Sequence, residues 1–179
     1  HGGNAVIDVF EGEDVRWSQQ AEQLGTGHAV QQAMPDTPDG NMVLILFGDV
    51  PLLTSGTLRR LIDATNDDEM SVLTVDMDDP TGYGRIVRKG GDVSRIVEQK
   101  DATPEEQSIV EINTGVMFCA ADKLKNWLGN VGNDNAQGEY YLTDVIARAV
   151  SDGVTVHGVK ADCMVEVMGI NDKKQLAEA

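Results

Sequence analysis

An unbroken apolar run, Met42-Val43-Leu44-Ile45-Leu46-Phe47, stops abruptly at Gly48-Asp49. The run is strand-sized, and no apolar stretch of the chain approaches the roughly 18–20 residues that cross a bilayer. A strand with no polar alternation is expected to be buried on both faces, as in a parallel α/β sheet. Such sheets bind ligands beyond the carboxyl ends of their strands. Asp49 stands at that place, either holding a divalent cation or capping a turn.

The rest of the chain reads as alternating helices and strands. Ala5 to Phe10 is a helix or a strand, and Val15 to Ser18 is a short strand. Thr26 to Met34 is a helix stopped by Pro35, before the turn-forming Pro35-Asp36-Thr37-Pro38-Asp39-Gly40. Ser55 can cap a helix reaching Ala64, with Leu58, Leu61 and Ile62 on one face. Ser71 to Val75 is a second buried strand, and Asp78-Asp79-Pro80-Thr81-Gly82 is a turn. Arg85 to Arg88 and Val93 to Glu98 flank Lys89-Gly90-Gly91-Asp92, a hairpin signal. Glu111 to Cys119 is a strand, Ala121 to Leu128 and Tyr141 to Val150 are helices, and Val154 to Val159 and Met164 to Val167 are late strands. Asp172 to Ala179 closes the chain as a helix. The pattern predicts one domain over residues 1–179, a three-layer, doubly wound α/β fold with a mostly parallel sheet and a β-hairpin insertion.

Composition narrows the function. Aromatic residues are only 4 % of the 179, so the core must be mostly aliphatic. Thirty acidic side chains face 14 basic ones, a net charge of −16. That balance repels nucleic acid and anionic lipid, so neither nucleic acid nor a membrane is an expected partner. A phosphate-bearing ligand would need a metal ion or a local basic pocket. Cys119 and Cys163 are too few for a disulfide framework and lack metal-site spacing. They read as buried thiols of a reducing compartment.

Several polar motifs interrupt this frame. Gln19-Gln20-Ala21-Glu22-Gln23-Leu24-Gly25-Thr26-Gly27-His28 places glycines before a helix start, where backbone can approach a ligand and N–H groups are free. It is neither a P-loop nor a dinucleotide fingerprint, because no Lys-Ser or Lys-Thr follows and Val30 occupies the third glycine position. Thr81-Gly82-Tyr83-Gly84-Arg85 is a tight turn or a ligand loop, and Glu98, Lys100 and Asp101 end the next strand. Asn113 puts an amide inside an apolar strand, which costs a few kcal/mol unless the amide is hydrogen-bonded. In Gly169-Ile170-Asn171-Asp172, Asn171 or Asp172 is a good helix cap.

Taken in order, Gln-Ala-Glu-Gln-Leu-Gly-Thr-Gly-His, Gly-Asp-Val-Pro-Leu, Asp-Pro-Thr-Gly-Tyr-Gly-Arg-Ile, Val-Glu-Gln-Lys-Asp-Ala, Glu-Ile-Asn-Thr-Gly, Asn-Ala-Gln-Gly-Glu-Tyr-Tyr-Leu-Thr-Asp and Gly-Ile-Asn resemble one family closely. It is the uridyltransferase domain of the bacterial bifunctional N-acetylglucosamine-1-phosphate uridyltransferase/glucosamine-1-phosphate acetyltransferase. The resemblance covers essentially the whole chain. It implies a Rossmann-like nucleotide-diphospho-sugar transferase fold and a cytoplasmic enzyme of cell-wall and lipopolysaccharide precursor synthesis. UTP and N-acetylglucosamine 1-phosphate would give UDP-N-acetylglucosamine and pyrophosphate, with Mg²⁺ as cofactor. By match, Gln20, Gly25 and Thr26 would hold the uracil, and Asp49 and Asn171 would bind Mg²⁺ as the catalytic pair. Gly84, Glu98 and Asn113 would hold the sugar and ribose, and Phe47 and Gly48 would line the site. The family commonly has tyrosine where Phe47 stands.

The resemblance also implies departures. The family opens with a strand and a glycine-rich loop bearing an arginine, with a lysine soon after, and that loop and its cations cradle the UTP phosphates; the match begins downstream of them. Its β-helical acetyltransferase domain has no counterpart. The 179 residues are therefore expected to be a partial nucleotidyltransferase domain, inactive by itself and prone to self-association through an exposed sheet edge. The alternatives are a non-catalytic sugar-nucleotide-binding remnant and a sister sugar-phosphate nucleotidyltransferase.

Overall fold

A computed structural model describes residues 3–170 and 172–178. Six strands are present among them: β1 (Met42–Ile45), β2 (Met70–Asp76), β3 (Arg85–Lys89), β4 (Asp92–Val97), β5 (Glu111–Ala120) and β6 (Val156–Lys160). The helices are α1 (Gly3–Val9), α2 (Thr26–Ala33), α3 (Ser55–Asp63), α4 (Pro104–Gln107), α5 (Ala121–Gly129), α6 (Asp144–Ser151) and α7 (Lys173–Glu178). The strands form one sheet in the order β4-β3-β5-β2-β6, with β1 pairing β5 off that path.

Side-chain alternation along the strands sorts the core into two apolar layers. Met70 and Val72 of β2 and Met117 and Cys119 of β5 face a layer closed by Leu124, Trp127 and Leu128 of α5 and Val145, Ile146 and Ala149 of α6. Leu73 and Val75 of β2 and Ile112, Val116 and Phe118 of β5 face the other way, where Leu61 of α3 packs. Helices thus cover both faces, as expected for a three-layer α/β fold. Burying a side chain such as Leu61, 0 % exposed, contributes about 1.5–3 kcal/mol.

The sheet is not mostly parallel. Among the described residues only β2 and β6 run parallel, while β1, β2 and β3 all pair β5 antiparallel. The hairpin β3–β4 carries its direction into the sheet through β3, and β5 runs against three neighbours. The apolar run was expected to be buried on both faces, but β1 ends at Ile45, and Leu46 is 49 % exposed. β1 pairs only β5 among the described residues, so Met42, Val43 and Leu44 are half-buried.

Other local expectations shift for identifiable reasons. Ala5 to Phe10 resolves as helix α1. Val15 to Ser18 forms no strand, since no neighbour offers it a ladder; Val15 and Trp17 are 44 % and 49 % exposed, and Trp17 instead leans on Phe10, ring centroids 6.1 Å apart. Met164–Val167 is a 3₁₀ turn, with only Val167 buried, because β6 already fills the edge beside β2. Thr54, not Ser55, caps α3: its hydroxyl accepts from Thr57 N–H at 3.3 Å. The buried stripe of α3 is Thr57 and Leu61, whereas Ile62 is exposed. α6 starts at Asp144, later than the expected Tyr141, because Leu142 N–H donates to Thr26 Oγ1 at 3.1 Å. Asp172 caps α7, its Oδ1 accepting from the N–H groups of Lys174 and Gln175, both at 2.8 Å. Cys119 is buried, and burial pushes its thiol up to about 12, but Cys163 is exposed. No described helix is long and apolar enough to cross a membrane.

Candidate functional site

The site lies where β5 exchanges partners along one edge. β2 occupies one edge of β5 from Glu111 to Cys119, leaving β3, at Ile112, and β1, from Met117 to Ala120, to share the other. Between them the ladder is irregular: from Val72 to Thr74 β2 advances by two residues while β5 retreats by four, from Met117 to Asn113. Side chains satisfy the backbone there. Asn113 Oδ1 accepts from Gly115 N–H at 3.0 Å, and Thr114 Oγ1 accepts from Val116 N–H at 3.3 Å while donating to the Leu73 carbonyl at 2.8 Å. The amide of Asn113 is thus used partly by the protein itself. Gly115 has φ +86°, and a Cβ there would collide with the edge of the Phe47 ring at Cε2, with Cζ and Cδ2 at 2.9 and 3.1 Å. Phe47 is therefore seated directly on the irregularity.

Two adjoining cavities open here, sharing Phe47, Tyr83, Asn113 and Thr114. The larger, about 220 Å³, is also lined by Thr26, Gly84, Glu98, Leu142 and Thr143. The smaller, about 180 Å³, is also lined by Asp49, Met77, Val167, Met168 and Gly169. Neither is lined by a lysine or arginine.

Five expected residues, Thr26, Phe47, Gly84, Glu98 and Asn113, therefore meet around one cavity, and Asp49 stands in the next. Gln20 and Gly25 lie outside both linings and act on the loop: Gln20 Nε2 donates to the Gly25 carbonyl at 3.0 Å and meets His28 Nδ1 at 3.0 Å. Gly25, at φ +111°, packs so closely that a Cβ would sit 2.7 Å from the Tyr140 carbonyl oxygen. Gly27 N–H donates to that carbonyl at 2.8 Å, which docks the loop onto the segment before α6. Gly48 is exposed and lines neither cavity. Asn171 lies outside the described residues, but the Asp49 carbonyl accepts from Ile170 N–H at 2.8 Å, which ties the strand end to the segment leading there.

Electrostatics divides the two cavities. Burial pushes the Glu98 carboxyl above its ordinary range; the Thr143 hydroxyl, donating to its Oε1 at 2.9 Å, opposes this, and Asp144 and Asp101 reinforce it. Burial likewise raises Asp144. Asp49 is an exposed carboxylate on a strand-end turn and the one carboxylate lining the smaller cavity. Among the described residues no group of three His, Cys, Asp or Glu side chains is placed to hold a metal ion. A single carboxylate still suits Mg²⁺, which takes one or two protein oxygens and fills its octahedron with water and substrate phosphate.

Tyr83, Thr143 and Leu142 line the larger cavity without having been singled out as site residues. Tyr83 lay within a glycine-rich turn that was marked; Thr143 reaches Glu98 from 45 positions away in the chain, which no spacing rule reveals.

The chain is similar to known proteins in sequence and in fold. Residues 1–122 match the family model of the MobA-like NTP transferase domain. Over 178 residues the chain is 53 % identical to the bifunctional protein GlmU of Herminiimonas arsenicoxydans and 52 % identical to that of Janthinobacterium sp. strain Marseille, covering 99 % of this chain and 39 % of each relative. It thus spans about two fifths of the length of these relatives. Among solved structures it is similar to one described as a glucose-1-phosphate thymidylyltransferase of Bacillus anthracis, at 18 % identity and TM-score 0.68 over 90 % of this chain and 64 % of that one. A UDP-glucose pyrophosphorylase complexed with UDP-glucose aligns at 14 % identity and TM-score 0.66, over 88 % and 62 %. The fold is thus that of Rossmann-like nucleotidyltransferases, and the chain belongs to the MobA-like NTP transferase domain family.

Proposed function

We propose that the chain carries the substrate-recognition half of a sugar-phosphate nucleotidyltransferase site, one that joins UTP and N-acetylglucosamine 1-phosphate into UDP-N-acetylglucosamine with release of pyrophosphate. The reaction is a cytoplasmic step towards cell-wall and lipopolysaccharide precursors. The observation that carries the reading is the convergence of Thr26, Gly84, Glu98 and Asn113 on one cavity, with Asp49 in the cavity beside it. About half identity to the bifunctional relatives supports a nucleotidyltransferase, and the choice of base and sugar rests on the ordered motifs that resemble the uridyltransferase family.

In this reading a phosphate oxygen of the sugar phosphate attacks the α-phosphorus of UTP, and the bond from that phosphorus to the bridging oxygen breaks, freeing pyrophosphate. The nucleophile is already an anion at neutral pH, so no general base is needed; positioning and charge neutralisation carry the rate. Mg²⁺ would supply that neutralisation, held by Asp49 and Asn171 together with substrate oxygens. Glu98 and Asn113 orient the sugar and ribose. Asn113 has the chemistry for this, because its Oδ1 is taken by Gly115 N–H while its NH₂ carries two donors. Loop 24–27, docked directly on the segment before α6, presents Thr26 to the uracil in the larger cavity.

One observation favours binding without turnover in the 179 residues alone. Among the described residues no lysine or arginine lines either cavity, and two neighbouring candidates are engaged: Lys100 Nζ bonds Gln137 Oε1 at 2.7 Å, and Arg85 bonds the Tyr83 carbonyl and Gln99. Each missing oriented donor costs on the order of 10²–10³ in rate. The test is a coupled pyrophosphate assay beside calorimetric titration with UDP-N-acetylglucosamine. Binding that Glu98→Ala weakens, with no pyrophosphate release, is the expected result. Preference for another nucleoside diphosphate sugar would overturn the assignment in favour of a sister enzyme, and Mg²⁺-dependent turnover would overturn the inactivity. We also propose self-association along the side of β1 that pairs with no strand among the described residues.

A further inference from the structure

Arg85 is the largest side chain buried to less than 2 % exposure, and it is 1 % exposed. It forms no ion pair among the described residues, an unusual state for a buried guanidinium. Its partners are neutral: Tyr83, which lines both cavities, and Gln99, which lies behind them and lines neither. Nη1 donates to the carbonyl of Tyr83, two residues back, and Nη2 donates to Gln99 Oε1 at 2.6 Å. The same Gln99 oxygen accepts from Gly82 N–H at 3.3 Å. Asn113 N–H holds the next carbonyl, that of Gly84, at 2.9 Å. Segment 82–84 is thus tied at each residue, and it lines the larger cavity throughout, with Tyr83 shared by both.

We propose that Arg85 and Gln99 form a clamp that positions loop 82–84, and with it the ring of Tyr83 between the two cavities. Arg85 is a positioning residue, since it lines neither cavity. The shared acceptor makes the pair act as a unit: Gln99 receives the loop's N–H and the guanidinium that grips the loop's carbonyl. An arginine suits the task because its planar fork reaches two acceptors at once, which a lysine ammonium on one stem does not. The ligand side of the proposal rests on the sugar-nucleotide reading above; the clamp does not.

The experiment uses the 179-residue chain and four variants: Arg85→Met, Arg85→Lys, Gln99→Met and Gln99→Glu. Amide hydrogen exchange and titration with UDP-N-acetylglucosamine are the readouts. Loss of one hydrogen bond corresponds to about fivefold in local opening, so Gly82 and Tyr83 amides should exchange about fivefold faster in Arg85→Met and Gln99→Met. Amides of β2 and β5 should be unchanged. Gln99→Glu keeps both acceptor bonds and should match the parent; Arg85→Lys should recover part of the loss. Affinity should fall in the same order, and the Arg85→Met/Gln99→Met double variant should be little worse than either single one. Unchanged loop exchange in Gln99→Met, exchange rising equally across the sheet, or Gln99→Glu behaving like Gln99→Met would overturn the clamp. If the parent chain does not bind UDP-N-acetylglucosamine, the sugar-nucleotide reading fails while the exchange data still decide the clamp.

Discussion

Replacing Gly115 by alanine tests the seat of the site in a single atom. At φ +86° an L-residue carries a backbone penalty of about 1–2 kcal/mol. The added Cβ would also collide with the edge of the Phe47 ring, and overpacking of this kind costs about 1–3 kcal/mol. Together the substitution should destabilise the chain by about 2–5 kcal/mol. For a chain of this size that corresponds to a fall in Tm of about 4–20 °C. Urea denaturation followed by circular dichroism is the assay. The two causes separate in a double variant. Phe47→Leu in the Gly115→Ala background removes the clash but not the backbone strain, so the double variant should be more stable than the sum of the singles by at least about 1 kcal/mol. A loss below about 0.5 kcal/mol, the range of an ordinary surface change, or strict additivity with Phe47→Leu, would refute the argument that Phe47 is seated on Gly115.

Asp49→Ala should remove any Mg²⁺ dependence of UDP-N-acetylglucosamine binding and leave the unfolding free energy within about 0.5 kcal/mol of the parent, since the side chain is exposed; titration with and without Mg²⁺ checks it. Glu111→Gln breaks a bidentate pair, with Arg88 Nε and Nη2 at 2.8 and 2.6 Å and Thr74 Oγ1 at 2.7 Å, and should cost about 2–4 kcal/mol near neutral pH, below the about 3–5 of a fully buried pair because Arg88 keeps 29 % exposure. Burial alone would raise the Glu111 carboxyl, yet Arg88 and Thr74 hold it below its ordinary range; its stabilisation is therefore present above the unfolded pKa and lost as pH falls through the lowered one, so denaturation curves of the parent and Glu111→Gln should converge in acid. Asn113→Asp keeps the acceptor for Gly115 N–H but removes two donors, so binding should weaken with little change in stability, as calorimetry beside thermal melts would show. Sedimentation at tens of micromolar should show self-association that a Val43→Lys change on β1 reduces; a monodisperse parent monomer would count against the open edge.

The layers and the site followed from different kinds of signal. Long apolar periodicity placed β2, β5, α3 and α5 within a residue or two, because burial on a sheet face leaves a repeating mark. Short stretches failed where tertiary neighbours decide. Val15 to Ser18 and Met164–Val167 alternate like strands, but a strand exists only where another strand offers its edge. Strand direction was also hidden: Met42–Ile45 looks the same whether its partner runs parallel or antiparallel. Glu98 and Asp49 could be marked because polar groups at strand ends are conspicuous. Thr143 lies in the quoted Asn-Ala-Gln-Gly-Glu-Tyr-Tyr-Leu-Thr-Asp motif, but its role, a single hydrogen bond to Glu98 across the fold, leaves no mark in the spacing.

The partner exchange along β5 explains why a binding cavity forms at this point of the sheet. A strand has two edges, and every buried backbone N–H and C=O on them requires a partner. β2 satisfies one edge of β5 on either side of the irregularity, while β3 and β1 reach the other from opposite ends without meeting. Closing that gap with a further strand would fill the cavity. The chain closes it with side chains instead: Asn113 and Thr114 supply the acceptors, and Gly115 supplies the conformation that lets Phe47 approach. The Thr114 hydroxyl stays bonded to Leu73 of β2, while Asn113 lines both cavities. The Asn-Thr-Gly that looked misplaced inside an apolar strand is therefore the device that converts a sheet interior into a site, and the recognition chemistry of Asn113 and the stability of β5 are coupled through the same 3.0 Å hydrogen bond.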